Sequence, residues 1–292
     1  MTQTHYQKYR APNITPEKWQ AARAAVTDAL DRFSALVESA DPQAMATADW
    51  TVADTAAHVA SIAWLNTALV GSERTSLPLP DIGERIATTT VDNIHAGLNS
   101  ALLSAYPERA AGPVVHRLRS SVTEILNLTS TADPASKVDW LGTSTIPLAG
   151  LLAHLTNELL LHGRDIARAV GRRWQVPHPY AAQFFELFLI EIARTGAGHL
   201  LDDDRPVRTG RIAVQFRSDY TPAVTMVLDT GRTWVEEPSR DNDVQVYFEP
   251  ATLNLALFHR ISWARAAMTG SVRVWGRRPW LLAPFLRKVR FP

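Results

Sequence analysis

Cysteine is absent from this chain of 292 residues. Its absence excludes disulfide bonds, a zinc site built on thiolate ligands and a catalytic thiol belonging to the protein itself. Any thiol chemistry at this protein therefore requires a sulfur that arrives on a small molecule.

Long apolar runs and a strong charge of either sign are lacking as well. No apolar segment approaches the roughly 20 residues that a helix needs to cross a bilayer, and the N-terminal residues lack the apolar core of a secretory signal. The net charge of +1 contrasts with the strongly basic surface typical of nucleic-acid-binding proteins. We expect a cytoplasmic protein with no membrane and no nucleic-acid partner; the sequence does not indicate its oligomeric state.

The chain does contain enough apolar sequence for two domains. Hydrophobic residues make up 46% of it and charged residues 20%, as in ordinary globular proteins. The hydrophobic pattern is helical up to the polar break at Asp202-Asp203-Asp204 and alternates like that of β-strands beyond it. We predict an all-α bundle of four or five helices over residues 10–200 and an α+β domain over residues 208–292.

Local signals place several elements within these domains. Thr15 followed by Pro16 is a helix start, and Asp229-Thr230-Gly231 is a hairpin turn. Helices are also predicted for the apolar segment that ends at Gly196, from about residue 250 to 260 and from 279 to 289. The predicted strands, rich in β-branched and aromatic residues, are 212–216, 223–228, 233–235, 244–248 and 272–275.

Two potential metal ligands, Glu158 and His162, lie on one predicted helix that ends near Gly171. Four residues advance a helix by about one turn, so both side chains project from the same stripe, next to a stripe of leucines. A carboxylate and an imidazole are costly to bury without a partner, and a divalent metal would pair with both. A hydrogen-bonded pair without metal is the alternative.

His58 is the candidate for a third ligand. Thr51 and Asp54 form a capping-box pattern, which predicts a helix from about Val52. On that helix His58 shares a face with apolar residues and would point toward neighbouring helices. Two histidines and one carboxylate leave a coordination position open, which is the ligand set of a catalytic zinc. A core histidine with an ordinary hydrogen bond is the alternative.

Two further side chains lie one turn from this pair. His154 precedes Glu158 and would either compete as a ligand or line the cavity; we assign it to the cavity wall or the surface. Asp165 follows His162 and would orient it by accepting a hydrogen bond, with an exposed ion pair to Arg168 as the alternative. No residue is assigned a further catalytic role.

These motifs resemble those of a known family. They read Trp-Thr-Val-x-Asp-x-x-x-His at residues 50–58 and Glu-x-x-x-His-x-x-Asp at residues 158–165, and they resemble the mycothiol-dependent maleylpyruvate isomerase family of DinB-like metal-binding helical bundles. The resemblance implies a metal triad of His58, Glu158 and His162. The segment from about Arg211 onward resembles the sterol-carrier-like domain that often follows the bundle.

The resemblance also implies the chemistry. It suggests Zn²⁺ and mycothiol as cofactors, and a small electrophile as the partner of this low-molecular-weight thiol. We expect a zinc-dependent, mycothiol-using S-transferase or isomerase, because zinc favours the thiolate form of a coordinated thiol. In the isomerase branch the thiolate would add to the double bond of maleylpyruvate, allow rotation and leave; in the transferase branch it would stay attached. The triad does not distinguish the two.

Three alternatives remain open at this point. They are a maleylpyruvate cis-trans isomerase specifically, a non-catalytic lipid or sterol carrier with a long apolar tunnel, and a DinB-like scaffold whose metal is vestigial or structural. The aromatic residues Phe184 and Phe188 are assigned to the core, with a lipid-facing role as the alternative.

A dianion such as maleylpyruvate would need an arginine near the zinc. The available arginines of the second domain are Arg211, Arg217, Arg232 and Arg273, and none matches a family motif.

Overall fold

A computed structural model describes residues 14–71, 79 and 81–290, and the structural statements below concern these residues. The predicted outer limits of the two domains, residues 10 and 292, lie outside them. The described chain is mainly helical up to Thr195, and from Ile212 onward it contains a five-stranded sheet with helices. This order confirms the predicted two-domain fold class, while the limits 10–200 and 208–292 stay a prediction.

The N-terminal region consists of helices and one short hairpin. Two π-helical segments, His95–Asn99 and Phe184–Leu189, lead directly into α-helices. The hairpin pairs β1 (Lys137–Asp139) with β2 (Thr145–Pro147) in antiparallel fashion. The α-helices are α1 (Pro16–Glu38), α2 (Val52–Val70), α3 (Ile82–Thr88), α4 (Ser100–Ala105), α5 (Ala111–Leu128), α6 (Leu148–Ala169), α7 (His178–Gln183) and α8 (Ile190–Thr195).

The core of the bundle is formed by α1, α2, α5 and α6. Helix α6 is central, because it packs against α1, α2 and the second π-helical segment. Its leucine stripe, Leu151, Leu155 and Leu159, is fully buried. Since burial of one leucine side chain is worth about 1.5–3 kcal/mol, this stripe determines which face of α6 turns toward the interior.

The predicted starts of α1 and α2 are confirmed by hydrogen bonds, and the predicted end of α6 by its backbone conformation. The Lys18 N–H donates to the Thr15 hydroxyl at the start of α1 (3.3 Å). At the start of α2, the Asp54 N–H donates to the Thr51 hydroxyl (3.1 Å) and the Thr51 N–H to the Asp54 carboxylate (3.3 Å), a complete capping box. Past the end of α6, Gly171 has a φ of +67°, the left-handed conformation that glycine adopts without strain.

The apolar segment before Gly196 differs from the single α-helix predicted for it. Residues 184–189 form a π-helix between α7 and α8, and the whole segment ends with a cap at Gly196. A side chain at Gly150 of α6 would overlap the carbonyl of Leu187, so α6 and this segment approach closely. The sequence pattern also gave no indication of the short helix α3.

The C-terminal region is a mixed sheet with helices. Its sheet has the order β5-β4-β3-β6-β7; β3 and β6 are parallel and the other pairs antiparallel. Thr230 and Gly231, both at positive φ, form the predicted hairpin turn. The elements are β3 (Ile212–Arg217), β4 (Val224–Asp229), β5 (Arg232–Glu236), β6 (Val244–Phe248), α9 (Pro250–Leu257), α10 (Trp263–Met268), β7 (Val272–Trp275) and α11 (Leu282–Lys288). The five strands match the prediction to within two residues at each end; α10 was not predicted.

The two regions pack directly on each other. The side-chain amide of Asn254 donates to the Asn157 side-chain oxygen (2.5 Å), which joins α9 to α6. The ring of Phe185 lies 4.6 Å from that of Phe248. Helix α8 also contacts β5. These contacts leave a cavity between α6 and the second domain. None of the helices in the described part is long and apolar enough to cross a membrane.

Candidate metal centre and substrate cavity

Two helices bring the three predicted metal ligands together. His58 comes from α2, and Glu158 and His162 come from α6, against which α2 packs. Each of the three offers one ligand atom, and these atoms all lie within 4.8 Å of one another. The imidazole rings of His58 and His162 are 5.0 Å apart and nearly perpendicular. The three residues, which the sequence placed on two separate helices, therefore lie together in one cluster.

The cluster has the features of a site for a divalent metal. The His162 Nε2 and the Glu158 Oε2 are 3.4 Å apart, and two ligands of a tetrahedral zinc with bonds of 2.0–2.1 Å would lie about 3.3 Å apart. The Nδ1 of His58 is buried and has no hydrogen-bond partner among the described residues. A buried nitrogen without a partner is costly, and a metal ligand role for His58 would remove part of this cost. The donor set fits zinc.

The ionisation of the cluster also suits metal binding. Burial, followed by repulsion from His162, lowers the pKa of His58 to about 3, so His58 is neutral. Burial opposes ionisation of Glu158, but the interaction with His162 and the nearby histidine charges outweigh it and bring the pKa of Glu158 to about 2. Burial likewise opposes a charge on His162, yet the carboxylates of Asp165 and Glu158 raise its pKa. Without metal, these two carboxylates therefore favour a proton on His162.

Asp165 links this cluster to the second domain. Its Oδ2 lies 3.5 Å from the Nδ1 of His162, which has no hydrogen-bond partner among the described residues, so the orienting role of Asp165 stays a prediction. The guanidinium of Arg260 donates to the same carboxylate at 2.7 and 3.3 Å. Asp165 therefore pairs with Arg260 and not with Arg168, the partner considered from the sequence. Arg260 follows α9 and lies 95 residues along the chain from Asp165.

His154 lies in the wall of the cavity, one of the two places predicted for it. Its Nε2 is 3.3 Å from the Glu158 Oε1, so it contacts the carboxylate oxygen that faces away from His162. Its ring lies 4.8 Å from the rings of both Trp140 and Phe188. Burial lowers the pKa of His154, with the Glu158 charge acting in the opposite direction.

The cavity has a volume of about 740 Å³ and is bounded by both domains. His58, Glu158 and His162 line it on the bundle side. The second domain contributes side chains from two strands, from the segment after α9 and from the end of α11; they are Met226, Thr233, Phe258, His259, Arg260, Val289 and Arg290. The volume is within the range of small-molecule sites.

Two residues beside the cluster received no role from the sequence. The indole of Trp50 lies 4.5 Å from the His58 ring and 5.2 Å from the ring of His95, on which it stacks. Both Trp50 and His95 line the cavity. Trp50 is the first residue of the first sequence motif, so the sequence did contain a signal for its role. His95 belongs to a π-helical segment and to no motif.

The arginines of the cavity differ from those considered for substrate binding. Among the described residues, Arg168, Arg260 and Arg290 line it. The four arginines named from the sequence do not. Arg211, for example, pairs with Glu236 at 2.8 Å, and Arg273 lies over the ring of Tyr247.

A helical bundle joined to a sheet domain, with two histidines and one glutamate facing a cavity between them, defines a class of two-domain proteins with a candidate metal site. Sequence comparison identifies the family. The profile of the mycothiol maleylpyruvate isomerase N-terminal domain matches residues 22–167, half of the chain, so the chain belongs to this family. A search of curated proteins gave no significant match.

Solved structures agree on the fold. The crystal structure of the mycothiol-dependent maleylpyruvate isomerase aligns with a TM-score of 0.51 and 13% sequence identity, over 91% of this chain and 95% of the other. A crystal structure of a histidine-to-alanine mutant of that enzyme aligns over the same shares, with a TM-score of 0.51 and 12% identity. At such low identity the likeness concerns the arrangement of both domains and not the substrate.

Proposed function

We propose that this protein is a zinc-dependent enzyme in which mycothiol attacks a small electrophile, as an isomerase or as an S-transferase. The observation that carries the proposal is the group of His58, Glu158 and His162 in the wall of a cavity enclosed by both domains. Membership of the isomerase family supports mycothiol as the thiol. The lack of cysteine means that the reacting sulfur must come from a small molecule.

His58, Glu158 and His162 would hold the zinc through two imidazole nitrogens and one carboxylate oxygen. Bound there, zinc would favour the thiolate form of a coordinated thiol near neutral pH. The low pKa values of His58 and Glu158 keep a lone pair and a negative charge available to the metal. Three protein ligands leave a coordination position for the thiol.

The neighbouring residues would fix the direction of these ligands. Asp165 would accept the Nδ1–H of His162 and leave its Nε2 directed toward Glu158. His154 would donate its Nε2–H to the Glu158 Oε1 and leave the Oε2 for the metal. Arg260 would act indirectly, by holding the Asp165 carboxylate in place.

The metal assignment is tested by metal content. We expect about one zinc per chain in protein purified without added metal, measured by mass spectrometry. Glu158→Gln and His162→Ala should weaken zinc binding at least about 10-fold, the size of loss seen even for residues behind the ligands. His116→Ala, at an exposed histidine of α5, is the matched control and should keep the zinc. Stoichiometric zinc in both site variants, with native circular dichroism, would contradict the assignment.

The thiol and the reaction are tested by titration and product analysis. Mycothiol should bind the zinc-loaded protein in calorimetry and bind far more weakly to Glu158→Gln. With maleylpyruvate, formation of the trans isomer would select the isomerase branch, and a stable thioether would select the transferase branch. Fatty-acid binding with no effect of mycothiol on thermal stability would instead favour the lipid-carrier alternative.

A further inference from the structure

The wall of the cavity differs between its two sides. On the side of α2 and α6 it carries the three clustered side chains, together with Asp165. On the side of α8 and the second domain the wall includes the apolar side chains of Ile192, Ala193, Met226 and Val289, with Thr233 and His259 as polar neighbours. The four apolar side chains are buried. A ligand that reaches from the cluster toward the second domain therefore meets hydrocarbon.

Aromatic side chains form the part of the cavity wall that lies next to the cluster. His154, which contacts Glu158, packs against the rings of Trp140 and Phe188. Phe184 stacks on Phe188 at 5.1 Å and meets Phe258 of the second domain at 5.7 Å. All four aromatic residues line the cavity. Such rings favour an apolar or aromatic group in front of them.

Most of the arginines that line the described part of the cavity are paired with carboxylates of the protein. Arg260 donates to Asp165 through two nitrogens and to the Phe258 carbonyl through the third. Arg290 holds Asp92 at 2.6 and 2.9 Å and Asp203 at 3.2 Å. Arg168 is the remaining arginine that lines the described part of the cavity, and it is exposed at the end of α6. A ligand with two carboxylates would leave at least one of them without its own arginine.

We propose that the electrophile is a conjugated carbonyl compound with an apolar body, an alkyl chain or an aromatic ring, and at most one carboxylate. The apolar body occupies the wall of α8 and the second domain. The inference rests on the proposed function, since it names the substrate class for that site. In transfer, the thiol S–H bond and the π bond of the alkene break, and S–C and C–H bonds form. In isomerisation the thiolate forms the S–C bond as the C=C π bond breaks and its electron pair moves to the carbonyl. Rotation follows, and cleavage of the S–C bond restores the π bond and releases the thiolate.

A series of unreactive ligands tests the apolar wall without any turnover. Saturated 4-oxoalkanoates carry one carboxylate and no alkene, and their alkyl end is lengthened stepwise from methyl to hexyl. In calorimetry with the zinc-loaded protein we expect Kd to fall about four-fold for each added methylene. The matched dicarboxylate, with a carboxylate at the end of the chain, should bind more weakly than the hexyl compound. A constant Kd along the series, or a tighter dicarboxylate, would overturn the inference.

A cavity-filling substitution locates the site. Ala193→Leu adds apolar volume to the wall of α8 and should weaken binding of the hexyl compound about 10-fold, equivalent to losing nearly two buried methylenes. Binding of the methyl compound and the zinc content should stay unchanged. Ala24→Leu, at an exposed position of α1, is the control and should change neither. Equal binding of the hexyl compound by both variants would place it elsewhere; if Ala193→Leu does not fold, the wild-type series decides alone.

Reaction with the unsaturated compounds separates this inference from the proposed function. The cis-4-oxo-2-enoates of the same chain lengths are mixed with mycothiol and zinc-loaded protein, beside maleylpyruvate. We expect kcat/KM to rise with chain length and to exceed that of maleylpyruvate. If no compound reacts but the binding series holds, the proposed function fails and the apolar site stands. If maleylpyruvate reacts fastest and the binding series is flat, the enzyme stands and this inference fails.

Discussion

The contact chain from Arg260 through Asp165 to His162 makes a quantitative prediction for Asp165→Asn. The carboxylate accepts two bonds from the Arg260 guanidinium and lies 3.5 Å from the His162 Nδ1. Asparagine has the same shape, yet it removes the negative charge and presents either an oxygen or an NH₂ group. The substitution therefore weakens the contact that would fix the tautomer of His162, and it creates no cavity.

Two separate losses are expected from this substitution. Removing the acceptor behind a histidine ligand costs about 10- to 100-fold in metal affinity, equivalent to about 1.4–2.7 kcal/mol. Loss of the ion pair across the domains, whose side chains are 11% exposed for Asp165 and 22% for Arg260, should lower the free energy of unfolding by about 1–3 kcal/mol. The lower half of that range applies if water reaches the freed guanidinium.

The two losses are measured separately. Zinc affinity is obtained by competition with a chromophoric chelator, and unfolding by urea in the presence of EDTA, so that metal does not contribute to stability. Arg260→Gln keeps the Asp165 carboxylate beside His162, so it should lower stability while changing zinc affinity less than about 3-fold. Asp49→Asn, at an exposed residue of the cavity wall, should change neither. The reasoning is refuted if Asp165→Asn binds zinc like the wild type while Arg260→Gln binds it weakly.

Two further predictions concern the free energy of unfolding. Burial opposes the charge of Asp243, but hydrogen bonds from a backbone N–H and two arginines lower its pKa. The stabilisation by the Asp243 carboxylate is therefore complete above the ordinary carboxyl pKa of about 4 and is lost as pH falls through the lowered value. In urea unfolding, Asp243→Asn should show a smaller loss of stability below pH 4 than the wild type. An identical loss would contradict this prediction. A methyl group at Gly163 would overlap the indole of Trp174, so Gly163→Ala should lower the free energy of unfolding by about 1–3 kcal/mol. Gly112→Ala in α5, where nothing lies within 4 Å, should raise it by up to about 1 kcal/mol, and equal effects at both glycines would be inconsistent with the overlap.

The parts of the molecule that follow local rules were predictable from the sequence. The capping box of Thr51 and Asp54, the left-handed Gly171 and the hairpin at Gly231 each depend on a few adjacent residues. Because the start of α2 and the end of α6 were predicted correctly, the faces that carry His58 and Glu158 could be predicted as well. The meeting of α2 with α6 needed the family resemblance, since helix periodicity does not state which helices pack together.

The remaining features depend on contacts between distant residues. Arg260 was missed because its role comes from Asp165, 95 residues away, and no local pattern marks it. The π-helical segment at Phe184–Leu189 was missed because π-helices are rare single-turn insertions in α-helices, and no residue pattern in this segment marks one. Its close approach to Gly150 depends on how α6 packs against it, which the sequence of the segment alone does not show.

Helix α6 joins the candidate metal site to the domain interface. Glu158 and His162 face the cavity, Asn157 bonds Asn254, and Asp165 bonds Arg260. The bonds to the second domain therefore start within one turn of the proposed ligands. Any shift of that domain relative to α6 would disturb the Asp165 carboxylate and, through it, the orientation of His162. Because the second domain also supplies the apolar wall, the same docking completes the proposed metal site and the cavity in which the electrophile would bind.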